Sequence, residues 1–284
     1  MRTINKAHNT GIASISEICV CFDITRDAYY KYTKRFHSKQ LKNDIVLKLV
    51  KHERKNQPRI GTRKLHKTLE TEMKQNNIKL GRDSLFDVLR DNNMLVKRKK
   101  ATFKTTNSYH RFHKYNNLIK DLDINRPNQV WVADITYIRM VNGFAYLAII
   151  TDLFSPKIVG YDISNSLELS GCLRALKNAL KTTESCKGLI HHSDRGIQYC
   201  SNEYTQKLIK KGINISMTEE NHCYENAVAE RVNGILKDEF YLDQTFFNLK
   251  SAELATKNAI NIYNNKRLHV SLQYKTPSAV FNAA

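Results

Sequence analysis

The chain has 284 residues, 41% of them hydrophobic and 26% charged, a composition that excludes a disordered protein and allows one large domain or two to three modest ones. Lys and Arg number 46 against 27 Asp and Glu, so the net charge is +19 and a polyanion is the natural partner. The first twenty residues carry Arg2, Lys6, His8 and Glu17, and no stretch reaches the roughly eighteen apolar residues of a membrane span, so a soluble intracellular protein is expected, with no membrane partner.

The charge is unevenly placed. Residues 1–128 hold 29 basic and 12 acidic side chains, and residues 129–284 hold 17 and 15. The first half is therefore the expected nucleic-acid-binding half. Six cysteines, at 19, 21, 172, 186, 200 and 223, form no CxxC pair and read as reduced packing residues.

Residues 1–40 are expected to form a short helix-turn-helix-like segment. Ile15, Ile18 and Cys19 would face inward, Phe22-Asp23-Ile24 would turn, and a second helix capped by Thr25 would end at Lys34 and Arg35. Residues 41–100 repeat the theme as a basic helical DNA-binding domain. Leu65, Leu69 and Met73 recur at the spacing of one helical face, Asn76-Asn77 and Gly81 break it, and Leu85, Val88 and Leu89 form a second stripe. The second helix of each pair would be the groove reader. Lys97, Arg98, Lys99 and Lys100 close the unit and, with Arg63 and Lys64, are candidate DNA contacts.

Residues 101–126 lack periodicity and read as a linker. After Pro127 come strands over 129–140 and 144–152, joined at Asn142-Gly143, a strong hairpin signal. A two-residue Asn-Gly turn would set Asp134 opposite Thr151 and put Asp152 on the other face. Further strands are expected over 157–163, 188–192 and 213–217, with helices over 167–181, 202–211 and 226–240. Three antiparallel strands followed by helix–strand alternation predict an α/β fold, a mixed five-stranded sheet flanked by helices over 127–245, preceded by the all-α helix-turn-helix region and followed by a helical extension over 246–284.

Three acids stand out. Asp134 lies inside a strand of valines, isoleucine and tryptophan, where propensity disfavours it. Asp194 follows a strand in Ser193-Asp194-Arg195-Gly196, and Glu230 sits on a helix with thirty-five residues between the two. Acids converging from two strands and a helix can hold two divalent metals that clamp the attacking and leaving oxygens of a phosphodiester. Asp152, Glu219, Glu220 and Glu225 are the rival acids. Lys237 lies two turns beyond Glu230 on the same face, where it could hold a phosphate.

These strings resemble a known family. Trp131-Val132-Ala133-Asp134-Ile135-Thr136-Tyr137, His192-Ser193-Asp194-Arg195-Gly196…Tyr199, Asn226-Ala227…Glu230…Leu236-Lys237 and Tyr263-Asn264-Asn265-Lys266-Arg267-Leu268-His269…Thr276-Pro277 are similar to the integrase core of insertion-sequence transposases of the IS-three type, second-frame (OrfB) product. The resemblance implies an RNase H-like fold shared with retroviral integrases, and Asp134, Asp194 and Glu230 as its catalytic, metal-binding DDE triad. It also implies two Mg2+ ions with Mn2+ as a substitute, double-stranded DNA at element ends and target, a homo-multimer, a first-frame (OrfA) partner by fusion or association, and a bacterial cytoplasmic, nucleoid-associated location. Arg195 and Arg267, in the matching strings, join Lys237 as candidate DNA contacts. An inactive end-binding regulator and a nuclease without joining activity are the alternatives.

Overall fold

The computed structural model describes residues 2–11, 13–97, 111–219 and 226–283. They divide into two compact units, one of residues up to Glu53 with Thr68–Leu95, the other of Arg54–Lys67 with Val96 onward.

Up to Asp91 the described residues are organised as helices: α1 (Arg2–Asn9), α2 (Ile15–Cys21), α3 (Arg26–Asn56), α4 (Thr62–Thr68), α5 (Glu70–Gln75) and α6 (Arg82–Asp91). Ser14 caps α2 through a reciprocal box, its hydroxyl accepting from the Glu17 amide while the Glu17 carboxylate accepts from the Ser14 amide at 2.8 Å. Ile18 and Cys19 are buried with Ile4 and Tyr29. The turn at Phe22–Thr25 forms as expected, with Asp23 in the left-handed region at φ 49°.

The expected end of the second helix at Lys34 and Arg35 is wrong. Neither Gly nor Pro interrupts the sequence from Arg26 until Pro58, so α3 runs 31 residues and stops just short of the Gln57–Pro58 bond. The later stripes hold. Leu65, Leu69 and Met73 are buried, Asn77 breaks the chain at φ 54°, and Leu85, Val88 and Leu89 fill the inner face of α6.

The second unit is built on a sheet: β1 (Val130–Met140), β2 (Gly143–Asp152), β3 (Ile158–Ser164), β4 (Ile190–Ser193) and β5 (Asn214–Met217), in the order β3-β2-β1-β4-β5. β1, β2 and β3 pair antiparallel, while β4 pairs parallel to β1, and β5 parallel to β4. The sheet is thus mixed and five-stranded, as expected. Its helices are α7 (Leu169–Leu180), α8 (Ile197–Cys200), α9 (Asn202–Lys210), α10 (Ala227–Glu239), α11 (Leu249–Asn265) and α12 (Pro277–Asn282).

The hairpin register differs from the expected one. Gly143 alone takes a left-handed φ, +89°, so Val141 and Asn142 form the turn and Met140 pairs with Gly143. Asp134 therefore faces Ile149 rather than Thr151, and Thr151 faces Val132. A slip of two residues preserves alternation, so Asp152, opposite Trp131, still lies on the face away from Asp134.

Alternation along β1 divides the core. Trp131 and Ala133 pack with Leu176, Ala179, Tyr199 and Tyr204 of the α7–α9 layer. Val130 and Val132 pack with Ala229 of α10, and Ile138 with Val232, Leu236 and Tyr263 of α10 and α11. On β3, a Cβ at Gly160 would stand 2.4 Å from the Ala175 carbonyl oxygen, so glycine lets α7 close onto the sheet. Residues 112–124, without periodicity in sequence, still bury side chains. Phe112 and Tyr115 pack on the α7–α9 side, and Ile119, Leu122 and Ile124 pack beside Val130 and Val132. Along edge strand β5 the Met217 amide donates to the Asn116 carbonyl, and the Leu118 amide to Ser216 Oγ. Among the described residues no helix is long and apolar enough to cross a membrane.

Candidate active site

Asp134 sits in the central strand, on the face that α10 covers. Ala133 of β1 pairs with Ser193, the last residue of β4, so Asp134 and Asp194 are the next residues on parallel neighbours. Such strands lie about 5 Å apart. Glu230 occupies the first turn of α10. That end of the helix is tied to the same point, because Asn226 Nδ2 donates to the Ala133 carbonyl at 3.1 Å. The three sequence-predicted acids are thus brought to the same region of the sheet by the middle of β1, the end of β4 and the start of α10.

Hydrogen bonds orient two of them. Asp134 Oδ1 accepts from the Ile135 amide at 2.9 Å and Oδ2 from Asn233 Nδ2 at 2.7 Å. Asp194 Oδ1 accepts from the Gly196 amide at 3.0 Å. Glu230 is exposed. Burial, then repulsion from Asp194 and Glu230, pushes the Asp134 carboxyl up to about 7, against the hydrogen bonds from Asn233 and Ile135. Lys237 is half-buried beside this charge. Burial holds its amine below the usual range, while Asp134 and Asp243 pull the other way.

Asn233 was missed by sequence reasoning. It is three residues beyond Glu230, so the spacing that singled out Lys237 places it on the same face, between them. Its side chain is 5% exposed.

The donor set suits a hard divalent cation. Asp194 and Glu230 both repel the charge on Asp134, which burial partly desolvates. Two buried amide oxygens, Asn226 Oδ1 and Asn233 Oδ1, find no hydrogen-bond partner among the described residues. Oxygen donors with unspent negative charge are what such an ion requires. Among the described residues no three acid, His or Cys side chains stand close enough together to hold a metal ion by themselves.

The rivals separate. Asp152 is fully buried and structural: it accepts from the Asn128 amide at 2.8 Å, the Ser155 amide at 2.8 Å and Ser155 Oγ at 2.6 Å. Glu219 lies 3.8 Å from Lys120 at the surface, and Glu220 and Glu225 fall outside the described residues.

Two expected DNA contacts need correction. Lys64 Nζ lies 2.9 Å from both oxygens of Glu239, and Arg267, 3% exposed, grips the same carboxylate through Nε at 2.8 Å and Nη2 at 2.7 Å. Both cations are spent inside the protein. Arg63 and Lys97 are exposed, Arg195 is half-buried beside Asp194, and Arg98, Lys99 and Lys100 fall outside the described residues.

Comparison with known proteins agrees with this architecture. The integrase core domain pattern matches residues 124–223, and a second integrase core pattern matches 211–277. The uncharacterized 31 kDa protein of insertion element IS600 from Shigella sonnei is 36% identical over 92% of this chain and 96% of its own. The transposase of insertion sequence element IS629 from Shigella sonnei is 40% identical over 54% of this chain and 51% of its own. The putative transposase InsK of IS150 from Escherichia coli K12 is 28% identical over 93% of this chain and 92% of its own. Among solved structures, the HTLV-2 integrase catalytic core in complex with magnesium aligns over 55% of this chain and 97% of its own, at 20% identity and a TM-score of 0.44. With an integrase core over its second half and an end-to-end relative above one-third identity, the chain belongs to the insertion-sequence transposases of the IS-three type, polynucleotidyl transferases built on an RNase H-like integrase core.

Proposed function

We propose that this chain binds the terminal inverted repeats of an insertion sequence and catalyses DNA strand cleavage and strand transfer, with Asp134, Asp194 and Glu230 as the catalytic acids. The observation that carries this reading is their convergence at Ala133, with Asp134 and Asp194 as lateral neighbours and α10 pinned over them. Two divalent ions at these acids, magnesium or manganese in its place, would neutralise the phosphodiester and make a bound oxygen nucleophilic.

The chain's own residues account for the remaining requirements. Asn233 fixes the rotamer of Asp134, so that one carboxylate oxygen keeps a constant direction. Lys237, on the same face as Glu230 and within the field of Asp134, is placed to hold a DNA phosphate beside the acids. The basic helical half, with exposed Arg63 and Lys97, supplies phosphate contacts that set the register on double-stranded DNA. Work at two element ends calls for a homo-multimer, and the first-frame protein is a candidate partner.

The test is a strand-transfer assay on DNA bearing the element's own ends, comparing wild type with Asp194→Asn, with and without the first-frame protein. Joined products from wild type alone support the reading. Binding without cleavage would make the chain an end-binding regulator, and nicks without joined strands would make it a nuclease.

A further inference from the structure

The tail motif around Arg267 has no part in the function above, yet its arginine is among the most buried charged groups of the described residues. Arg267 follows α11 and turns back onto its end, its amide donating to the Ile262 carbonyl at 2.9 Å. Its guanidinium lies over the Tyr263 ring and makes a two-pronged bond to Glu239, the last residue of α10. Lys64, from α4, holds both oxygens of the same carboxylate. One residue back, Asp238 lies 3.2 Å from Arg59 Nη1, and the Arg59 amide donates to the Glu239 carbonyl at 3.4 Å. Segments far apart in sequence therefore meet at the C-terminal end of the helix whose first turn carries Glu230.

The charge is committed rather than incidental. Burial alone would raise the Glu239 carboxyl, but the bonds and fields of Arg267 and Lys64 outweigh it and hold the carboxyl below its usual range. Burial and the neighbouring Arg267 lower the Lys64 amine to about 8, despite the attraction of Glu239. An α-helix is stiff over the roughly 13 Å from residue 230 to residue 239, so fixing one end fixes the other. Glu239 also lies seven residues beyond Val232, on the face that α10 turns toward the core and away from the site.

We propose that Glu239 is a positioning residue: its carboxylate, clasped by Lys64 and Arg267, locks α10 between the 59–64 segment and the tail and thereby sets the place of Glu230. This rests on the reading of Glu230 as a site acid. Removing the clasp leaves Glu230 in place chemically but lets it wander, and a displacement of about 1 Å at a reacting centre costs about 100-fold in rate.

Three quantities are measured on the full-length protein: affinity for end DNA, joining rate at saturating DNA, and Mn2+ binding followed by titration calorimetry. Glu239→Gln is expected to lower the joining rate at saturating DNA and weaken Mn2+ binding, each at least tenfold, with DNA affinity unchanged within about twofold. Glu239→Asp should recover part of both losses. If Glu239→Gln does not fold, Lys64→Met and Arg267→Gln each leave one cation on the carboxylate and should show the same pattern at smaller amplitude. A loss of melting temperature with wild-type joining rate and Mn2+ affinity overturns the proposal, because it leaves only a structural ion pair. Glu230→Gln serves as the control. If it leaves joining and Mn2+ binding intact, the assignment of Glu230 fails; if it abolishes both while the clasp variants behave as wild type, only the positioning role fails.

Discussion

Neutralising Asp134 should stabilise the protein that it disables. The unfolded chain releases this proton near 3.8 and the folded chain near 7. Between those values the folded state binds the extra proton, so stability falls as pH rises from 3.8 to 7 and stays lowered above. At about 1.4 kcal/mol per pH unit, the penalty at pH 8 reaches at most about 4 kcal/mol, and partial solvent access reduces it. Asp134→Asn keeps the shape and removes the charge. For a chain of this size that gain corresponds to roughly 5–10 °C in melting temperature. The assay is thermal unfolding at pH 8 with a chelator present, wild type against variant, repeated at pH 5, where the difference should shrink. Magnesium at about 100 times its dissociation constant should then stabilise wild type by about 2.7 kcal/mol and leave the variant unmoved. A variant that melts at or below wild type in chelator at pH 8 would refute the account of the site as a cluster of mutually repelling acids.

Other predictions use neighbouring residues. Asn233→Ala removes a 2.7 Å bond to a carboxylate, worth about 1.5–3 kcal/mol, so joining at saturating DNA should slow by about 10–100-fold while end binding persists; an unchanged rate would remove Asn233 from the site. Asp152→Asn puts an amide where three donors converge and should cost about 1–3 kcal/mol in urea unfolding, with the joining rate per folded molecule intact. A rate loss at full stability would restore Asp152 as a site acid. Burial, followed by the charge of His192, lowers His191 to about 3, so the unfolded chain takes its proton near 6.5 while the folded chain does not. Its stabilising contribution is complete above 6.5 and fades at about 1.4 kcal/mol per pH unit below it, and His191→Gln should lose that slope between pH 7 and 5 in denaturant titrations.

The candidate site is easier to propose from sequence than the residues that support it, for physical reasons. Alternation along β1 made Asp134 an acid among buried apolar residues, and no local propensity explains such a residue. Asn233 and Lys237 follow from helix spacing once Glu230 is chosen, though only Lys237 was picked out that way. The hairpin register depended on which of two adjacent residues would take a positive φ, and Gly143 took it alone. The length of α3 is legible in the absence of Gly and Pro from residue 26 to residue 57, a stronger signal than two basic residues at Lys34 and Arg35. Lys64 and Arg267 were beyond local reading. In a chain of net charge +19 any cation looks like a phosphate contact, and their partner Glu239 lies 175 residues from Lys64 and 28 from Arg267.

Helix α10 explains why an exposed acid can be held accurately. Asn226, Glu230, Asn233 and Lys237 recur at steps of four, three and four, one continuous stripe over β1. Val232, Ile235, Leu236 and Glu239 form the opposing stripe, three of them in the core and the fourth in the clasp. A helix gripped along one side by apolar packing and at its last residue by two cations has little freedom to roll or slide. Little freedom is what Glu230 needs, since its own side chain is exposed and cannot rely on packing. On the proposed reading, precision at the site would come from the packing of α10 and the clasp at Glu239. The match to integrase cores runs on to residue 277, well past the last acid at 230 and through Arg267, as expected if the tail serves to hold that helix.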